Sequence, residues 1–142
     1  MTVLVVEDDP NVLAFVDRML TYGGHTVLAA EDPDDARFVL TEHGGPIDVL
    51  LCDIVLPGAN GLDFARAIKK DNPTVKIVFM TGLIHQSPKV LRSGLGPVLH
   101  KPFTAAELLK VIGAAVKGKK EKHAGLGELE NMPNRPMILI GG

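Results

Sequence analysis

Val3-Leu4-Val5-Val6-Glu7-Asp8-Asp9-Pro10 is the stretch that decides the architecture of this chain. Four apolar residues, three of them β-branched, run without polar alternation, which marks a short strand covered on both faces. Acids follow at once, and Pro10 can open a helix because its fixed φ and missing N–H suit the first helical position. Val12, Leu13, Val16, Met19 and Leu20 then keep a 3.6-residue period until Gly23-Gly24. A strand that passes through an acidic turn straight into a helix is the first βα unit.

The same alternation recurs downstream. Thr26 to Ala29 reads as a strand and about Pro33 to Glu42 as a helix, stopped by Gly44-Gly45-Pro46. Val49 to Cys52 is a third strand. After the Pro57-Gly58 turn, Gly61 to Lys70 has helical spacing through Leu62, Ala65 and Ile68. Val75 to Met80 is a fourth strand, Ser87 to Ser93 a short helix and Val98 to His100 a fifth strand. Thr104 caps a last helix with Leu108, Leu109, Ile112, Ala115 and Val116 inward. Five such units with right-handed crossovers predict an α/β domain, a doubly wound five-stranded parallel sheet with helices on both faces. The periodicity holds through residues 1–117. From Gly118 a charged, glycine-interrupted run gives way to aperiodic sequence, so residues 118–142 are expected to be an irregular or disordered tail. Within it, Met137-Ile138-Leu139-Ile140 is apolar enough for a short strand or a docking segment.

Composition narrows the function classes. Fifteen Lys and Arg against seventeen Asp and Glu give a net charge of -2 and no basic field for nucleic acid. No leader precedes the acids, and no run approaches the roughly eighteen apolar residues of a membrane span, so a soluble, cytoplasmic protein without membrane attachment is expected. The single cysteine, Cys52, suits a reducing compartment and a core position opposite to Asp53.

Ligands of open parallel sheets bind at the carboxyl ends of the strands, near the point where strand order reverses. Those ends carry Glu7, Asp8 and Asp9, then Asp53, Thr81 and Lys101. Carboxylates converging from two strands repel one another unless a cation lies between them, and oxygen donors without a Cys or His cluster favour magnesium. Magnesium shares its shell readily with phosphate, so phosphoryl transfer is the chemistry this edge suits. Asp53 would be the nucleophile, with the Lys101 ammonium and the Thr81 hydroxyl offsetting phosphoryl charge. Asp9, next to Pro10, reads better as a helix cap than as a ligand. The histidines, His25, His43, His85, His100 and His123, show no ligand spacing and read as surface or core residues.

Val5-Val6-Glu7-Asp8-Asp9-Pro10, Asp53 to Gly58 with Gly61, Met80-Thr81-Gly82 and Lys101-Pro102-Phe103 together resemble the response-regulator receiver domain of two-component signalling, over about residues 1–117. The resemblance implies the chemotaxis-regulator-like, flavodoxin-like strand order 2-1-3-4-5. It implies that Asp53 is the phosphoacceptor. Magnesium, with manganese as a substitute, would be ligated directly by Asp8, through water by Glu7, and by Asp53 and the Val55 carbonyl. Thr81 would move its hydroxyl onto the phosphoryl group and Lys101 would pair with it, ahead of a cis bond to Pro102. The implied donor is a sensor histidine kinase or a histidine phosphotransfer protein. The output is an unknown partner protein or a phosphorylation-dependent homodimer, and the chain is no enzyme beyond its own phosphorylation and dephosphorylation.

Two departures from the family pattern stand out. Val98 occupies the position three before Lys101 where the family usually has an aromatic, and the short, Gly- and Pro-bearing stretch from Thr81 to Lys101 predicts a stunted fourth helix. They leave open a second reading, an unswitched receiver-fold interaction module. Val55 and Leu83, two positions beyond Asp53 and Thr81, are apolar and are expected to exclude water from the phosphoryl group. A haloacid-dehalogenase-like phosphatase expects a second acid where Val55 stands, and a dinucleotide fold expects glycines where the acids and Pro10 stand. Whether the chain is a stand-alone regulator or part of a longer protein is open.

Overall fold

The computed structural model describes residues 1–83 and 87–117. The expectations for the tail, including Met137 to Ile140, and for His85 and His123 lie outside the described residues.

Five parallel strands make the main sheet: β1 (Thr2–Val6), β2 (Thr26–Ala30), β3 (Val49–Asp53), β6 (Lys76–Thr81) and β7 (Val98–His100). Their order is β2-β1-β3-β6-β7. Two further strands, β4 (Val55–Leu56) and β5 (Ala59–Asn60), form a small antiparallel hairpin around Pro57-Gly58. With the hairpin set aside, this is the expected 2-1-3-4-5 order. The helices are α1 (Pro10–Tyr22), α2 (Pro33–His43), α3 (Gly61–Asp71), α4 (Ser87–Arg92) and α5 (Ala105–Lys117).

Alternation along the strands splits the core in two. Leu4, Val6, Leu50, Cys52, Ile77 and Phe79 face a layer that includes Ala36, Ala65, Ile68 and Val90 of α2, α3 and α4. Val3, Val5, Val49, Leu51, Val78 and Met80 face Val12, Val16 and Leu20 of α1 and Leu108 and Ile112 of α5. A sheet covered on both sides explains the unbroken apolar runs.

Four of the five described helices begin with a polar cap. Asp9 caps α1, its Oδ1 accepting the N–H groups of Asn11 at 2.9 Å and Val12 at 3.4 Å. Asp32 accepts Asp35 N–H at 2.7 Å, and Asn60 accepts Leu62 N–H at 2.8 Å. Thr104 and Glu107 close α5 reciprocally, each side chain accepting the other's backbone N–H, at 2.8 and 3.0 Å. The caps start α1 and α3 immediately after β1 and the hairpin, so both helices rise from the carboxyl edge of the sheet.

α4 has six residues. Gly94, Gly96 and Pro97 follow it and stop its propagation, as the sequence predicts.

Candidate phosphoryl-transfer site

Parallel register brings the chemistry-bearing strand ends together: Val6 lies opposite Cys52, Asp53 opposite Met80, and Thr81 opposite His100. The residue following β1 is therefore beside the end of β3, and the residue following β7 is beside the end of β6. Lys101 N–H donates to the Thr81 carbonyl at 2.8 Å, which fixes where the lysine leaves the sheet.

Glu7, Asp8 and Asp53 converge, each offering a carboxylate oxygen within 4.8 Å of the others. Lys101 Nζ bridges two of them, 2.7 Å from Asp53 Oδ2 and 2.6 Å from Glu7 Oε1. The other oxygens are held by backbone: Asp53 Oδ1 accepts Val55 N–H at 2.8 Å, and Glu7 Oε2 accepts Asp9 N–H at 2.9 Å. Asp53 is thus oriented from both sides, while Asp8 remains exposed.

Glu7 is fully buried. Burial raises its pKa from 4.5 to about 7, the charge of Asp53 adds to that rise, and the Lys101 ammonium and Asp9 N–H work against it. Burial also works against the charged form of Lys101, but bonding to Asp53 and Glu7 outweighs it and the pKa of the lysine is raised. The Lys101 ammonium thus sits against the carboxylate that would receive phosphoryl charge. The donor set is all oxygen, anionic and open on the Asp8 side, which fits a hard divalent cation.

Thr81 ends β6, fully buried, with its hydroxyl accepting Leu83 N–H at 2.9 Å. The structure brings Glu7, Asp8, Asp53 and Lys101 into one cluster, whereas the Thr81 hydroxyl is engaged in its own turn. Val55 contributes its N–H to Asp53, and its side chain, like that of Leu83, is exposed, at 47% and 42% respectively. The bond from Lys101 to Pro102 is cis, as the resemblance implies.

The sequence model of the response regulator receiver domain matches residues 3–113. The chain belongs to this family. Its receiver is 36% identical over 120 residues to protein PilH of Pseudomonas aeruginosa, covering 82% of this chain and 98% of that protein. It is 29% identical over 149 residues to the phosphate regulon transcriptional regulatory protein PhoB of the same species, covering 99% of this chain and 64% of PhoB. The receiver spans only 21% of the putative two-component response regulator ARR21 of Arabidopsis thaliana, to which it is 27% identical. Among solved structures, a response regulator receiver domain protein of Clostridium thermocellum superposes with a TM-score of 0.75 at 30% identity, covering 84% of this chain and 96% of that one. TrrA of Thermotoga maritima, solved with Mg(2+)-BeF, gives 0.70 at 26% identity, covering 80% and 97%. The receiver therefore has the phosphoacceptor role of two-component signalling, and receivers as a class bind magnesium in an acidic pocket and work with sensor histidine kinases and output domains.

Two features of the receiver escape sequence reasoning. Asn60 caps α3 and thereby aims its first turn at the end of β3. His100, read as an ordinary surface or core histidine, has its Nε2 2.6 Å from the hydroxyl of buried Ser87 and ties β7 to α4. An Asn-Gly pair at the helix start signals the first; nothing local signals the second, since its partners are thirteen residues apart.

Proposed function

We propose that Asp53 is the phosphoacceptor of this receiver, with Lys101 as its charge partner and Thr81 as the hydroxyl that turns from Leu83 toward the phosphoryl group. The observation that carries this reading is the grip on Asp53: Lys101 on one oxygen, Val55 N–H on the other, and Glu7 and Asp8 alongside. An oxygen of the Asp53 carboxylate attacks phosphorus in line, and the bond from phosphorus to the donor's imidazole nitrogen breaks. The departing imidazole keeps the electron pair, and Lys101 neutralises an oxygen of the new acyl phosphate.

Glu7, Asp8, Asp53 and the Val55 carbonyl would hold magnesium, or manganese in its place. When bound, the ion screens repulsion between the carboxylate and the incoming phosphoryl group. The donor is a sensor histidine kinase or a histidine phosphotransfer protein, in the cytoplasm. The domain is residues 1–117. Output passes through protein contacts, to a partner protein or a phosphorylation-dependent homodimer, rather than through nucleic acid or membrane. Beyond its own phosphorylation and dephosphorylation the chain performs no catalysis.

Intact mass after incubation with magnesium and acetyl phosphate tests this reading. The expected result is a gain of one phosphoryl mass that requires magnesium and disappears in Asp53→Ala. Val55 and Leu83 are exposed apolar cover beside the site, so the adduct should decay faster in Val55→Asn with Leu83→Glu. The six-residue α4 and the absence of an aromatic at Val98 support a second reading, an unswitched interaction module. That reading prevails if a folded, magnesium-binding protein takes no phosphoryl group from acetyl phosphate or from kinase donors.

A further inference from the structure

β7 is the shortest strand of the main sheet, three residues long, and it lies at the edge, where among the described residues only β6 pairs with it. The residue that follows it is nevertheless Lys101, whose ammonium grips both Asp53 and Glu7. Across the ladder His100 stands opposite Thr81, and the Lys101 N–H donates to the Thr81 carbonyl at 2.8 Å. Lys101 and Thr81, the two groups that would neutralise phosphoryl charge, are thus joined to each other through the end of β7. So short an edge strand has few ladder bonds with which to hold that end still.

A further anchor comes from the α4 side. The Ser87 hydroxyl, on a residue only 6% exposed, lies 2.6 Å from His100 Nε2. Either tautomer of the ring makes this bond, since a hydroxyl both donates and accepts. Among the described residues it is the only side-chain hydrogen bond that joins α4 to the sheet. Val90 of α4 and Val98 of β7 also share one core, but apolar contact is non-directional and leaves a six-residue helix free to slide along the strand. The bond selects one position, and a buried hydroxyl left unpaired is costly, so the pair holds its geometry.

We propose that Ser87 and His100 are positioning residues for phosphoryl transfer, pinning the end of β7 to α4 so that Lys101 and Thr81 stand correctly beside Asp53. The inference rests on the reading of Asp53 as the phosphoacceptor. Neither residue touches the reacting atoms; both act through the strand end that carries Lys101 and pairs with Thr81. Transfer is steep in distance, a misplacement of about 1 Å costing about a hundredfold in rate. The carboxylates that would hold magnesium follow or end β1 and β3, strands flanked on both sides within the sheet. Losing the pair therefore separates two properties: transfer slows, while magnesium affinity stays.

The test compares His100→Leu, Ser87→Ala, the double variant and His100→Gln, whose side-chain amide nitrogen reaches as far as the imidazole Nε2. Urea unfolding first verifies that each is folded under the assay conditions. The rate of phosphorylation by phosphoramidate at saturating magnesium, followed by intact mass, should fall about tenfold in either single variant. It should fall no further in the double variant, because the two residues make one bond. His100→Gln should recover most of the rate, and magnesium titrations followed through the Asp8 and Asp53 amide signals should agree within about twofold throughout. Unchanged rates in the single variants overturn the proposal, as do losses that multiply in the double variant. A loss that His100→Gln does not recover, or one that magnesium affinity follows, overturns it too, because the whole edge is then disturbed. A wild type that takes up no phosphoryl group fails the Asp53 reading itself, and the proposal falls with it.

Discussion

Glu7 carries an energetic cost that its neighbours only partly offset. With the folded-state pKa at about 7 against an ordinary 4.5, the folded chain holds more protons than the unfolded chain between those values. Stability without metal therefore falls as pH rises through that window, by a few kcal/mol at most. His25 acts in the opposite sense: burial, helped by the charge of the N-terminal amine, lowers its pKa. The unfolded state then binds the extra proton, and stability rises with pH below the ordinary histidine value. Comparing wild type with Glu7→Gln removes the histidine contribution, which both share. Urea midpoints from pH 5 to 7.5, in chelator, should decline in the wild type relative to the variant; parallel curves would mean that Lys101 already compensates the glutamate fully.

At the level of elements, α3 meets β3 more closely than any side chain permits. A Cβ on Gly61 would overlap the Asp53 carbonyl and lie 2.8 Å from Ile54 Cα, both backbone atoms that cannot rotate away. Gly61→Ala should therefore lower stability by about 1–3 kcal/mol, the range for forced overpacking. Because the displaced backbone belongs to Asp53, phosphorylation by acetyl phosphate should also slow, measured by intact mass at a urea-verified folded fraction. The sequence shows Gly61 but not this contact, which requires knowing that the Pro57-Gly58 turn folds back as a hairpin. β4 and β5 have two residues each, too few for any periodicity to register. The five main strands were legible for the opposite reason: burial on both faces forces unbroken apolar runs, and the acids, Thr81 and Lys101 interrupt them at the strand ends. Those interruptions disclosed the candidate site. They did not disclose that Thr81 turns its hydroxyl to Leu83, or that Ser87 meets His100, because both depend on how the loop after β6 returns to the sheet.

Across the whole molecule, two cores clamp one sheet, so the carboxylates at its edge are held together by packing remote from them. Val3, Val5, Leu51 and Met80 are fixed on one side and Leu4, Val6, Cys52 and Phe79 on the other, leaving Glu7 and Asp53 little freedom to separate. Repulsion at the edge is therefore borne by the fold as a whole, and any cation that relieves it stabilises the fold as a whole. Binding to the folded state alone contributes about 2.7 kcal/mol when magnesium is at 100 times its dissociation constant. For a domain of this size that is a rise in melting temperature of about 5–10 °C. Chelator should reverse the rise, and Asp8→Asn should reduce it without unfolding the metal-free protein, since Asp8 is exposed. Sodium chloride at matched ionic strength separates site binding from general screening: if it reproduces the shift, the three carboxylates act as a diffuse field. If magnesium alone does so, the shift should be largest above pH 7, where Glu7 is ionised and adds its charge to the pocket.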